Sequence, residues 1–389
     1  MKLIERTRCT GCFACKEICP KSCINIEKDF LGNLYPIIDR TNCIECGMCN
    51  RVCPEKNNIF FQNVKQVFAA WSLNETRRKT SASGGVAAEF YRTAVEKDYL
   101  ICGAIYQEDF HVIHTLTNDE TVIVGYQQSK YVYSEIWGIY KKIKQQLMKN
   151  KKVLFISLPC KVAGLKTYLG KEYDNLLTVD IVCHGTPSYQ LLRDHLLEIH
   201  ALRKEVRLKF REENEFKFCL RDQNGRMIYC KPGRTDTYLA AFLEGLDYRG
   251  SCYRCKYARA ERISDITICD FWGLGSEKPF NHPYTGAVSA ILINNKRGED
   301  FLKQCQDKFF LEERPILEAI KGNAQLNRPT SLHKLRDIFE KKYCEVGFEK
   351  AVKYCLREEM RNEKLLIYKR KIRSYLRNIA GIFINKYRG

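Results

Sequence analysis

Apolar runs, helical spacing and polar turns follow one another along the chain, and two stretches share one plan. In KKVLFISLPCKVAGLKTYLG (151–170), the largely apolar stretch from Val153 to Leu158 predicts a buried strand; a Pro-Cys turn follows, then helical spacing. NLLTVDIVCHGTPSYQLLRDHLLEIH (175–200) repeats this with a strand from Leu176 to Val182, a Cys-His-Gly-Thr-Pro turn, and a helix capped near Ser188. Strand–turn–helix twice in succession predicts parallel neighbours in an α/β sheet. Ligands of such sheets gather beyond the carboxyl ends of the strands, where Cys160 and Cys183 both fall.

Other patterns add elements around this pair. NVKQVFAAWSLN (63–74) has the look of a linker strand, and TSASGGVAAEFYRTAVEKD (80–98) that of a helix start. Ser81 and Ser83 are the expected caps, Gly84 and Gly85 permit close backbone approach, and Val86 to Val95 have helical spacing. A Gly-rich turn opening a helix leaves N–H groups free for an anion. Cys219 and Cys230 flank an Arg-Asp-Gln-Asn-Gly turn, which predicts a hairpin with the two cysteines as cross-strand neighbours. From about Pro329 the chain turns helical and basic. Between Lys364 and Gly389 there is no acidic residue, while Leu365, Tyr368, Ile372, Leu376, Ile379 and Phe383 recur at helical spacing. Such a helix can lie on an anionic membrane or pack against the protein's own body, and the residues do not separate the two.

The strongest chemical signal is a repeat near the start. Cys9, Cys12, Cys15 and Cys19-Pro20 make C-x2-C-x2-C-x3-C-P, and Cys43, Cys46, Cys49 and Cys53-Pro54 make it again. No charged start followed by an apolar stretch precedes the first copy, so the expectation is a reducing, cytoplasmic setting in which dense cysteines mean metal rather than disulfides. Three cysteines two residues apart wrap one cluster, and the fourth points to the other. That assigns Cys9, Cys12, Cys15 and Cys53 to one [4Fe–4S] centre, and Cys43, Cys46, Cys49 and Cys19 to a second. Zinc sites space their ligands in pairs, not triplets. The segment resembles a bacterial two-cluster ferredoxin over residues 1–62. Cys23 is spare, most simply a small buried residue.

With 389 residues there is room for a larger domain after this module, and 45% hydrophobic content is ordinary for a globular protein. No uninterrupted apolar stretch reaches membrane-spanning length. The formal charge of +19 suggests nucleic acid, but it counts thiolates as neutral. Three oxidised clusters, each about −2, would bring it to roughly +13. The remainder suits acidic small substrates, an acidic electron donor or an anionic surface equally well. A nucleic-acid-binding zinc protein would need paired zinc ligands and a clustered aromatic–basic surface, and neither is present.

Cys252 and Cys255, in SCYRCKYARAERISDITICDFWGLG, form a further pair. Alone it could be a zinc half-site, a redox dithiol or an accident; with Cys160 and Cys183 it completes a set of four, unless those two are merely small buried residues. SASGG, SKYVYSE, LPCKVAGL, DIVCHGTPS and CYRC followed by SDITICDFWG occur in the order seen in the coenzyme F-420 hydrogenase/dehydrogenase beta-subunit family. The resemblance spans residues 65–290. It implies that Cys160, Cys183, Cys252 and Cys255 hold a third [4Fe–4S] cluster. It also implies that Ser83, Gly84, Gly85, Ser129, Lys130, His184 and Gly185 lie near an FAD, with Asp270, Trp272 and Gly273 at the family's DxWG position near the same pocket. The chain departs from the family at Ser157-Leu158, where Gly-Thr is usual, and at Cys269, where Gly is usual. Cys269 is expected to be a passive neighbour of the cluster.

The expected architecture is an α+β ferredoxin-like module (1–62), an α/β flavin and iron–sulfur domain (63–328) and a helical basic tail (329–389). The expected function is an iron–sulfur flavoprotein oxidoreductase linking ferredoxin, or another one-electron carrier, to a small, acidic organic substrate. Lys130 and His184 are the first candidates to move a proton. The alternative is an electron-transfer beta subunit of a hydrogenase or dehydrogenase complex with no substrate of its own.

Overall fold

In the computed structural model, residues 2–202, 206–212 and 214–386 are described, with side chains of the last helix described to residue 373. The N-terminal segment carries a hairpin of β1 (Ile24–Lys28) and β2 (Leu34–Ile38), paired antiparallel from Ile24 opposite Ile38 to Lys28 opposite Leu34. Two four-residue helices, Ala14–Glu17 and Met48–Arg51, lie within the two cysteine repeats.

The body is built on β3 (Gln66–Ser72), β4 (Tyr99–Tyr106), β5 (Val112–Thr117), β6 (Ser134–Glu135), β7 (Lys152–Ser157), β8 (Leu176–Ile181), β9 (Arg207–Glu212), β10 (Glu215–Arg221), β11 (Met227–Pro232), β12 (Ile266–Asp270), β13 (Ser289–Ile293) and β14 (Phe309–Arg314). Among the described residues nine of these form one mixed sheet in the order β14-β3-β13-β12-β8-β7-β4-β5-β6. β12, β8, β7 and β4 run parallel at its centre, and antiparallel strands extend it on both sides. The centre follows from composition: Val153, Leu154, Phe155 and Ile156 are buried on both faces of β7, as an apolar run of that kind requires. The two strand–turn–helix units are therefore adjacent and parallel, and the second helix (Tyr189–Glu198) is capped by Ser188, whose Oγ accepts from the Leu191 N–H.

Two local expectations need correction. The segment around β3 is no linker. β3 lies inside the sheet, paired with β13 on one side and β14 on the other, because Val67, Ala69 and Ala70 have faces to bury on both sides. The helix Val86–Glu96 is capped by neither Ser81 nor Ser83; its N-cap is Gly85, at φ +89°. Ser81 Oγ donates back to the Arg77 carbonyl (2.7 Å), and Ser83 is bound by Ser289 Oγ (3.0 Å).

β9, β10 and β11 form a separate antiparallel sheet in which Cys219 lies opposite Cys230, the two sulfurs bonded. Helices Arg336–Val346 and Phe348–Cys355 close over this side, burying Phe339, Phe348, Ala351 and Val352 in one core with Leu191, Phe218 and Tyr238. Helix Arg357–Lys386 follows, and on it Leu365, Tyr368 and Ile372 are exposed, so self-packing does not account for these three. The side chains of Leu376, Ile379 and Phe383 lie outside the described residues. Among the described residues no helix is long and apolar enough to cross a membrane.

Candidate functional site

Both copies of the N-terminal motif bend the chain in the same way. Gly11 and Phe13 in the first, and Glu45 and Gly47 in the second, all have φ between +53° and +76°. A left-handed conformation costs a non-glycine residue about 1–2 kcal/mol, so Phe13 and Glu45 are held there by their surroundings. The result is two loops curled around two small cavities. One is lined by Cys9, Cys12, Cys15 and Cys53, the other by Cys19, Cys43, Cys46 and Cys49, with Cys49 on the wall of both. The fourth cysteine of each copy thus reaches the other's cavity. Cys23 also lines the second, its Sγ 3.4 Å from that of Cys19.

The third group comes from three places. Cys160 opens the helix Pro159–Leu169 after β7, Cys183 follows β8, and Cys252 and Cys255 sit in the turn at Gly250–Arg254 and just after it. Burial raises all four thiols, and Cys160, Cys183 and Cys255 are raised further by others of the set; Cys255 reaches about 12. The residues around them explain why this loop sits against β8. Arg262 donates to Asp180 (2.6 Å), as does Ser264 (2.7 Å), and Asp265 accepts from the Thr178 N–H (2.7 Å). The Ser-Asp of SDITICDFWG and the Asp of DIVCHG are thus the clamp of the loop. Cys269, on β12, has Asp270, Arg262 and Asp180 as its charged neighbours rather than the cysteines.

The donor sets fit iron–sulfur centres better than single ions. Four sulfurs bound at about 2.3 Å around one zinc would lie under about 4 Å from one another. Among the described residues no three of these twelve cysteines bring their sulfurs within 4.8 Å of each other. Buried thiols that repel one another also need a cationic core to ionise: Cys12, for example, is pushed up to about 12, chiefly by burial.

Beside the third group lies a cavity of about 260 Å³ at the carboxyl ends of β7, β8 and β12. Ser83, Gly85, Ser129, Lys130, Cys183, His184, Gly185 and Asp270 line it. Gly84 lies behind the wall, its N–H bound by Ser289 Oγ at 2.9 Å. Trp272 and Gly273 are not among the lining residues. Trp272 is half exposed, and Gly273 packs so closely on the helix Ile316–Gly322 that a Cβ would meet the Glu318 carbonyl oxygen at 2.0 Å. Their place is structural, one step outside the cavity.

Lys130 is half-buried, and its amine has carbonyl oxygens as partners, the nearest that of Gln127 at 3.0 Å; burial draws its pKa down to about 7. Burial also lowers His184, against the pull of Asp270. Sequence reasoning missed three lining residues. Arg211 donates to Asp270 at 2.6 Å. His114 is drawn down to about 3 by burial and so is neutral. Its Nδ1–H therefore donates to the Glu135 carbonyl (3.1 Å), and its Nε2 accepts from the Ser157 hydroxyl (2.8 Å). Gln128 Oε1, Arg211 Nε and Asp270 Oδ1 are buried without hydrogen-bond partners, and all three residues line the cavity. Buried polar atoms are seldom left so. A ligand offering both donors and acceptors, as a flavin ring system does, would satisfy them. The volume falls below the ~300–1,000 Å³ that encloses a drug-sized molecule, so it suits one ring system of a dinucleotide rather than the whole.

Two family models match parts of the chain. Residues 150–319 match the family described as the C terminus of the Coenzyme F420 hydrogenase/dehydrogenase beta subunit. Over this region the chain is similar to that beta-subunit family. Residues 8–57 match the 4Fe-4S dicluster domain. The beta-subunit match contains all four cysteines of the third group, and the dicluster match all eight of the first two. The chain is thus an iron–sulfur protein related to electron-transferring oxidoreductases. Among solved structures, a chain of the F420-reducing [NiFe] hydrogenase complex from Methanosarcina barkeri is similar at 17% identity, with a TM-score of 0.46, over 75% of this chain and 92% of that one. No curated protein matches.

Proposed function

We propose that this beta-subunit relative is a ferredoxin-linked, FAD-dependent oxidoreductase with three [4Fe–4S] centres, acting on a small, acidic organic substrate. The observation that carries this reading is the position of Cys183, which belongs to the third cysteine group and also lines the cavity. The first N-terminal cavity supports it from the other side. Cys12 packs against Gly164 of the helix that begins at Pro159-Cys160, so the inner motif site abuts the third group. The order implied is outer site, inner site, third group, cavity. Residues 1–62 form the electron-entry module in this reading, 63–328 the flavin and iron–sulfur domain, and 329–389 the tail. Ser83, Gly85, Gln128, Arg211 and Asp270 would hold the flavin, which when bound accepts electrons singly and releases them in pairs. Lys130, near-neutral in pKa and without a carboxylate partner among the described residues, is placed both to hold an acidic group and to give up a proton.

The test is iron, acid-labile sulfide and flavin per chain on protein purified without oxygen. About twelve irons with one FAD is the expected outcome; about eight irons without flavin would sink the enzyme reading. The family's description as a beta subunit favours a second reading, an electron-transfer subunit without its own substrate; comigration with a larger complex would select it. The exposed Leu365, Leu366, Tyr368 and Ile372, on a helix whose last part carries no acidic residue, further suggest contact with an anionic membrane. Cosedimentation with phosphatidylglycerol vesicles, and not with phosphatidylcholine alone, should be lost on truncation after Glu363.

A further inference from the structure

Two cations are sealed inside the molecule without an acidic partner. Arg249 is 1% exposed; its Nε donates to the Cys9 carbonyl (2.6 Å) and its Nη2 to that of Leu34 (2.7 Å), with the guanidinium 4.2 Å from the centre of the Tyr35 ring. Lys161, equally buried, donates to the Ser134 carbonyl and lies 4.5 Å from the Tyr133 ring centre. Among the described residues neither has a carboxylate within ion-pair distance, although the other buried cations Arg262 and Arg314 do. An isolated charge in the interior is costly, so a buried cation implies an anion nearby.

The anions available are the thiolate sites. Arg249 sits three residues before Cys252, and its carbonyl accepts from the Cys252 N–H at 2.9 Å, while its side chain reaches across to the Cys9 loop. Room for it is made at Gly11, where a Cβ would come within 3.1 Å of the guanidinium carbon. Lys161 directly follows Cys160. Both cations therefore stand between the inner motif site and the third group, and the outer site has no counterpart in this pair.

We propose that Arg249 and Lys161 are built-in countercharges for the inner and third iron–sulfur centres, holding the reduction potentials of those two above what their burial alone would give. A centre that accepts one electron from a one-electron carrier gains one negative charge. A fixed cation beside it in a medium of low dielectric favours that reduced state. The effect reaches the outer centre least.

This inference rests on the iron–sulfur reading, and the experiment separates the two. Holoprotein carrying Arg249→Gln is reconstituted without oxygen and titrated electrochemically, each centre being followed by its paramagnetic signal. The expected result is full iron content, a lowered midpoint potential for the inner centre, an unmoved outer centre, and potentials near the native ones in Arg249→Lys. Full iron with every potential unmoved overturns the proposal, since a mere structural staple would behave so. If Arg249→Gln does not load iron, Lys161→Met decides: a lowered potential of the third centre supports the proposal and an unchanged one overturns it. A native chain that binds no clusters instead fails the iron–sulfur reading itself.

Discussion

The two N-terminal motif copies share their spacing, their closing proline and their left-handed loop positions, yet they lie in different surroundings. In the inner copy Cys9, Cys12 and Phe13 are buried, and body residues reach in to hold it: the Tyr133 hydroxyl donates to the Gly11 carbonyl at 2.6 Å, and Arg249 donates to Cys9. In the outer copy Cys46 is exposed, and Ile44 beside it is 58% exposed. The lesson is that spacing sets which metal centre can form, while docking sets its role. In the proposed route the exposed centre would meet a partner and the buried one would relay.

The largest expected effect comes from breaking one copy at a time. Cys46→Ser should block reduction by a ferredoxin-type protein while leaving the inner and third centres reducible by dithionite. With Cys12→Ser, a protein donor should reduce only the outer centre, the third staying oxidised on the same timescale. Paramagnetic signals frozen at successive times distinguish the cases. Equal reduction of the third centre in Cys12→Ser and native protein would remove the inner site from the route.

Burial makes the same kind of difference to a lysine in the cavity. Lys130, drawn to about 7, binds its proton more weakly in the folded protein than in the unfolded chain, where the lysine value is about 10.4. Below pH 7 both states hold the proton, and the cost of burying charge is fully present. Between pH 7 and about 10 only the unfolded chain holds it, so this contribution to stability rises with pH, by up to about 1.4 kcal/mol per pH unit. Lys130→Met should lack that slope. Denaturant titrations of both proteins at pH 7, 8 and 9 measure it, and a constant difference between them would mean that Lys130 is solvated or paired.

How much of this was legible in the sequence follows the distance over which each feature is written. The eight N-terminal cysteines lie in two eleven-residue windows, so spacing alone named them. The strand–turn–helix pair was legible for the same reason. The cap at Ser83 was misread because that hydroxyl is taken by Ser289, 206 residues away. β3 resembled a linker because its two sheet partners come more than 200 residues later. His114 and Arg211 left no local signal: the first is bound by Ser157 and the Glu135 carbonyl and the second by Asp270, each on another strand. Trp272 and Gly273 share a motif with Asp270, but the strand ends at Asp270, and the turn after it carries them away from the cavity lining.

The smallest expected effect separates the two copies most finely. Four residues after its last cysteine, the first copy has Cys23 and the second has Asn57. Asn57 Nδ2 donates to the Cys53 carbonyl at 2.8 Å and so fixes backbone, whereas Cys23 places its sulfur 3.4 Å from that of Cys19. With Cys19 ligated as a thiolate, Cys23 is the S–H donor, and a hydrogen bond to a ligand sulfur raises a cluster's potential. Because Cys19 belongs to the outer cavity, Cys23→Ala should lower the potential of the outer centre alone, slightly and without loss of iron. Asn57→Ala should instead loosen the chain after Cys53 and move no potential. A shift of the inner centre in Cys23→Ala would mean that the fourth cysteines do not cross over between the two sites.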